Sequence, residues 1–229
     1  MKRVIGIACV FFVLALWATV CACTDDVNEA TYRVSVIENA EFGECYTVTL
    51  SADECKEGDT VTVKAEDSYG FLDFAAVYAN GTACSETSQG DFTFVMPAAD
   101  VSVEISFNIA QVTEDNGMSW TSTPEITRAS GVVKEFTVDF GGTFVSNSTY
   151  ANSVGESGMT FIRLLSTDHG VFPPEAVYRI MPIETGAPYA NASGAKIIVN
   201  CGNVSAGTST LIFIDKQNMR AITYELTVA

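Results

Sequence analysis

Few side chains in this 229-residue chain stand where they could do chemistry, and the first of them is Cys23. Lys2 and Arg3 form a short cationic start, Val4 to Val20 is uncharged and apolar, and Ala22-Cys23 leads at once into Thr24-Asp25-Asp26. That layout keeps charge on the cytoplasmic side, gives the translocon an apolar segment and offers a peptidase small residues to fit. A retained membrane anchor is the competing expectation, since Val4 to Ala22 approaches the length of a spanning helix. His169, the only histidine, sits in Thr167-Asp168-His169-Gly170. A hydrolase needs a nucleophile and a base within hydrogen-bond reach, and Asp168, adjacent in sequence, is a poor orienter of the ring. His169 is therefore expected to be a turn histidine without catalytic duty.

The string VCAC at 20–23 resembles the lipobox of bacterial lipoproteins, with an aliphatic residue three places before an invariant cysteine and Ala just before it. The resemblance implies cleavage after residue 22 and acylation of Cys23, hence a membrane partner reached through an N-terminal lipid. Asp25-Asp26 resembles the acidic export signal of Bacteroidota surface lipoproteins, which implies an outer-membrane protein displayed outward.

Other constellations point away from catalysis. Gly141-Gly142 carries no GxGxxG or Walker spacing, so phosphate cradling has no support, and the pair is expected to end a strand or make a tight turn. Asp100, Glu114 and Asp115 could offer hard oxygen ligands to calcium at a domain junction, but no EF-hand-like DxDxDG spacing exists. Paired-carboxylate glycoside hydrolysis has no motif to distinguish it here. No metal site and no cofactor is expected. Cys9 and Cys21 leave with the signal and Cys23 takes the lipid, so Cys45, Cys55, Cys84 and Cys201 remain. Their spacing admits at most one bridge, among the first three; no CxxC pair is present to hold zinc.

Charge narrows the partners. The chain carries a net −16; without Lys2 and Arg3, 10 basic face 28 acidic residues, or −18. Such a surface repels phosphate backbones, so nucleic acid is not an expected partner. A protein or glycan ligand is compatible with it. Trp120, Tyr150, Tyr178 and Tyr189 fall in or near loops and strand ends, where sugar faces could stack. Of these, Trp120, Tyr150 and Tyr189 are the candidate ligand-binding residues.

The elements that must position these groups read as strands. Val34 and Val36, Val61-Val63-Ala65, and Val101-Val103-Ile105-Phe107 alternate with polar residues, which places one face of each strand on a core. Tyr46 to Leu50 repeats the pattern, and Glu57-Gly58-Asp59 and Met96-Pro97 to Asp100 supply turns. The succession EGDTVTVKA at 57–65, YGF at 69–71 and FTFVMPAADVSVEISF at 92–107 resembles the bacterial surface repeats related to internalin B-repeats. Here Phe71-Leu-Asp-Phe74 replaces the usual Gly-Trp segment, and a single copy is present. The resemblance implies a small β-grasp-like spacer or adhesive module at 31–108.

Beyond a polar connection at 109–124 come more strands: Val132 to Phe140, Met159 to Leu165, Ala176 to Ile180, Lys196 to Cys201, Ser209 to Ile214 and Ile222 to Val228. Short strands without helical period suggest an Ig-like sandwich at 125–229. The stretch at 206–228 resembles the final hairpin of bacterial Ig-like domains. The expectation is an all-β chain: signal 1–22, tether 23–30, a β domain at 31–108, a linker at 109–124 and a β-sandwich at 125–229, folding separately. As a whole it reads as a non-enzymatic, lipid-anchored cell-envelope protein for display, adhesion or spacing, with a glycan-binding lipoprotein of an uptake system as the alternative.

Overall fold

Alternating apolar and polar residues dictate the architecture from the first strand on. The computed structural model describes residues 30–115, 117–122, 125–129, 131–145, 162–184 and 191–229. Cys23, Tyr150 and Tyr189 lie outside the described residues. The fold is all-β, two sandwich-like β lobes in tandem, with single 3-10 turns at Gly43–Cys45 and Pro174–Ala176.

The first lobe contains β1 (Thr31–Ile37), β2 (Tyr46–Leu50), β3 (Glu54–Lys56), β4 (Thr60–Asp67), β5 (Leu72–Ala79), β6 (Thr82–Ala83), β7 (Ser85–Ser88), β8 (Asp91–Val95) and β9 (Val101–Ile109). They form two sheets, β3-β1-β9-β5-β6 and β2-β4-β8-β7, with β1 parallel to β9. Val61, Val63 and Ala65 of β4 and Val101, Val103 and Ile105 of β9 are buried, as their period-2 spacing requires.

The motif pieces at 57–65 and 92–107 meet in space. Gly58 donates its N–H to the Met96 carbonyl (2.9 Å), and Met96 donates to the Asp59 carbonyl (2.8 Å). Gly58 turns at φ +88°, a conformation that favours glycine. Asp67 accepts from the backbone N–H groups of Tyr69 and Leu72, which holds the turn that buries Phe71. Asp100 accepts from the Arg33 N–H at 2.8 Å. These residues anchor turns and strand ends.

The second lobe contains β10 (Glu114–Asp115), β11 (Met118–Trp120), β12 (Val133–Val145), β13 (Ile162–Ser166), β14 (Val177–Glu184), β15 (Asn191–Asn200), β16 (Gly207–Asp215) and β17 (Arg220–Val228). Sheet β10-β11-β12-β15-β14 faces sheet β13-β16-β17. Phe136, Val138, Phe140, Ile197 and Val199 pack there with Leu211, Phe213, Ile222 and Leu226. Residues 109–124, expected as a connection, carry the β10–β11 hairpin, and β11 pairs with β12. The physical reason is the turn chemistry of Asp115-Asn-Gly117: Gly117 takes φ +82°, which reverses the chain into a strand pair.

Gly141-Gly142 also departs from expectation, because β12 runs through it to Val145. The register against β15 shifts between Asp139 and Phe144, so the pair marks a bulge inside a long strand. Gly141 has φ +68°, and a Cβ there would stand 2.6 Å from the Gly117 carbonyl. Backbone meets backbone at that point, which only glycine permits.

The β13-β16-β17 sheet is buried on both faces. Leu211, Phe213 and Ile222 face the second-lobe core, whereas Leu165, Ile212, Ile214 and Ala221 join the cluster of the first lobe. Val112 packs against both clusters, and its backbone exchanges hydrogen bonds with Thr223 of β17. Residues Thr31–Ala229 accordingly form one compact unit in which the two lobes share a sheet. The sequence-based expectation of two separately folding domains meets an apolar seam here, not an open linker.

Candidate functional site

Two walls, one from each lobe, flank a cleft. The first-lobe wall is the Glu38–Glu44 loop. Asn39 shapes it, its Oδ1 accepting from the backbone N–H groups of Glu41 (3.0 Å) and Phe42 (2.9 Å). Phe42 pins the loop inward, its ring edge-on to Phe107 at 5.5 Å. Such an Asx turn plus an aromatic anchor fixes the loop before any ligand arrives.

The second wall is β13 and the segment after it. Asp168 Oδ1 accepts from Gly170 N–H (2.7 Å), and the Asp168 carbonyl accepts from Val171 and Phe172. Ser209 Oγ bonds Ser166 Oγ at 2.8 Å and accepts from Asp168 N–H at 3.1 Å. These bonds fold 167–172 tightly enough to bury Phe172 and to present His169 outward.

Between the walls lies a cavity of about 500 Å³ lined by Ala40, Glu41, Arg163, Leu164, Phe172 and Val177 among others. A second cavity of about 470 Å³ adjoins it, with Glu38, Glu41, Glu44 and Arg163 at its walls. Arg163 belongs to both. Its Nη1 donates to Glu44 Oε2 (3.0 Å) and its Nη2 to the Glu41 carbonyl (3.1 Å). Lys216 Nζ donates to the same Glu44 oxygen (2.7 Å), and His169 Nε2 lies 2.7 Å from Glu41 Oε1. The hydrogen bond and charge of Lys216, followed by the Arg163 charge, hold the Glu44 carboxyl below its ordinary range.

Each bond joins residues far apart in sequence: Glu44 and Arg163 are 119 positions apart, Glu41 and His169 are 128, and Glu44 and Lys216 are 172. Local spacing carries no signal for such a cluster, so only His169 drew attention in the sequence. His169 does occupy a turn, and it faces a carboxylate of the opposite lobe. Ser166 Oγ bonds the Asp168 carbonyl and Ser209 Oγ, and His169 bonds Glu41, so among the described residues no hydrogen bond joins serine and imidazole as a nucleophile–base pair would.

Trp120 lies on β11 and stands apart from this cleft. Its indole packs edge-on to Phe213 (6.1 Å) and tilted against Tyr224 (5.6 Å), and Nε1 is sealed from solvent without a partner. Much of the ring that a sugar would stack upon is committed to the core. Tyr178, in contrast, is exposed at the start of β14. Asp100 serves Arg33, and Glu114 and Asp115 belong to β10. Among the described residues no group of three His, Cys, Asp or Glu side chains converges as metal ligands.

Cys45, Cys55, Cys84 and Cys201 are free thiols, so the bridge that the spacing admitted is not formed. Cys45, Cys55 and Cys201 are buried as small apolar groups within the cores. No family model matches this chain, and no curated protein or solved structure matches it either.

Proposed function

We propose that this chain is a lipid-anchored, non-enzymatic cell-envelope protein that presents its β lobes as a single stiff display, adhesion or spacer unit. The supporting observation is the two-sided burial of the β13-β16-β17 sheet, which ties the lobes together through Ile212, Ile214 and Ala221. A linked pair of domains ordinarily moves about its linker; an apolar shared sheet removes that freedom and suits a part that must hold a surface away from a membrane. The lipobox-like VCAC at 20–23 supplies the anchor at Cys23, and the acidic pair after it fits outward display at the outer membrane. Two or more acyl chains, each buried methylene contributing about 0.8 kcal/mol, hold a protein stably without a spanning helix. Among the described residues no helix is long and apolar enough to cross a membrane.

Labelling cells with a radioactive or alkyne-bearing fatty acid tests the anchor. Wild-type protein takes up label, and Cys23→Ala takes up none and leaves the membrane fraction. Equal labelling of both proteins would overturn the assignment.

A further inference from the structure

Asn80-Gly81 is the two-residue loop that joins β5 to β6. Ala79 pairs with Thr82 across it, and both loop residues take positive φ, +48° at Asn80 and +76° at Gly81. That is the backbone of a type I′ hairpin turn, which selects Asn-Gly because most side chains resist φ > 0. The same dipeptide carries a reaction of its own. Glycine has no side chain to shield its nitrogen, so that nitrogen can close a ring on the carboxamide of the preceding asparagine.

Both residues stand in solvent. Asn80 and Gly81 are exposed, and a Cβ placed on Gly81 would meet no atom within 4 Å. The hairpin ladder pairs Ala79 with Thr82 and leaves the Gly81 nitrogen outside it. The Asn80 carboxamide is held by the start of β9. Its Nδ2 donates to the Asp100 carbonyl at 2.9 Å, and its Oδ1 accepts from the Ser102 N–H at 2.8 Å. The Asn80 N–H donates in turn to the Ser102 carbonyl at 2.9 Å. A donor on Oδ1 draws charge from Cγ and points at the oxygen where negative charge develops once a nucleophile adds. The clamp therefore activates the carboxamide that it holds.

We infer that Asn80 is a self-modification site: the folded chain converts it to aspartate and isoaspartate through a succinimide with Gly81, which releases the β5–β6 hairpin from the start of β9. The Gly81 nitrogen forms a bond to Asn80 Cγ and gives its proton to water. The Cγ–Nδ2 bond breaks, and the nitrogen takes a proton from water and leaves as ammonia. Water then opens the ring at either carbonyl. The net change is water in and ammonia out, with no oxidant or reductant. This inference does not depend on the lipid anchor.

Either product undoes the clamp. The Nδ2–H donor on which the Asp100 carbonyl relies is lost in both, and a carbonyl without its donor forfeits a hydrogen bond. Isoaspartate also routes the main chain through the former side-chain carbon. That lengthens a loop whose two residues set the Ala79–Thr82 register. Each conversion adds one negative charge to a chain already at a net −16. The hairpin end of β5, where Ala79 pairs with Val103 of β9, thus loosens as the protein ages.

Incubating the full chain in detergent at mildly alkaline pH, beside the same chain unfolded in urea, tests it by peptide mapping. In the folded chain the Asn80 peptide should gain the mass difference between amide and acid and split into two chromatographic forms. One of these should accept methyl groups from an isoaspartyl methyltransferase. The folded rate should lie within about tenfold of the urea rate, and Gly81→Ala should slow it by about tenfold. Should Gly81→Ala disturb the hairpin, the native chain still decides. Conversion more than about tenfold slower than in urea, or confined to the other Asn-Gly pair at Asn116-Gly117, would overturn the inference. Asn80→Asp, which reproduces one product, should melt about 2–4 °C below the native chain. An unchanged midpoint would show that the conversion releases nothing, and the inference would fail there too.

Discussion

Asp215 and Arg220 close the β16–β17 hairpin with an ion pair that is almost wholly buried. Arg220 Nε donates to Asp215 Oδ2 at 3.0 Å, and its Nη2 donates to the Phe140 carbonyl at 3.2 Å. Asp215 also accepts from the backbone of Gln217 and from the side chain of Asn218. Removing the carboxylate takes the Asp215 ion pair from a buried guanidinium, and breaking a buried pair at one partner ordinarily costs about 3–5 kcal/mol. Asp215→Ala is therefore expected to lose that much stability in urea denaturation, and a loss under about 1 kcal/mol would show that the pair contributes little. The thiols allow a second check. Burial pushes the Cys45 thiol up to about 11 and also raises Cys84. Because the thiolate is the reactive form, Ellman's reagent at pH 8 should modify Cys84 first, it alone of the four being incompletely buried. Cys45, Cys55 and Cys201 should react only after unfolding; Cys45 reacting as fast as Cys84 would contradict the packing.

The Glu38–Glu44 loop and β13 meet through exposed or half-exposed charges, and such pairs each contribute little. Their signature is a pH dependence. The Glu44 carboxyl is held below its ordinary value of 4.5, chiefly by Lys216 and then by Arg163. A depressed carboxylate adds stability that is present above the unfolded value and is lost as pH falls through the lower folded value. Thermal midpoints should therefore drop more steeply in the native chain than in Glu44→Gln as pH falls below the ordinary carboxyl value of 4.5. Parallel curves would mean that the Glu44 bonds do not hold the loop. Little of this was legible beforehand. Half-buried strands such as Val101 to Phe107 announce themselves by period 2, because one face meets water. Leu211-Ile-Phe-Ile214 does not alternate, and that unbroken apolar run was the available sign of a strand buried on both sides. The cleft left no sign beyond His169, since the bonds between its two walls join residues more than a hundred positions apart. The Gly141 bulge was misread for a related reason: whether a glycine ends a strand or bends it depends on the Gly117 backbone that packs against it.

Over the whole molecule, the shared sheet decides how the lobes behave. Leu165, Ile212, Ile214 and Ala221 are buried against the first lobe while their strand neighbours serve the second. Unfolding either lobe would expose one apolar face of the other, and fully burying one such side chain contributes about 1.5–3 kcal/mol. The lobes should therefore unfold together even though the polar stretch at 109–124 reads as a place where the chain could come apart. The most direct measurement is scanning calorimetry of the chain from residue 23 onward, paired with limited proteolysis. The predicted result is one transition whose calorimetric and van't Hoff enthalpies agree, shifted as a whole by Ile214→Ala, with no early cleavage between Glu114 and Thr123. Two resolved transitions, of which Ile214→Ala moves only one, together with first cleavage at Glu114 to Thr123, would contradict the account.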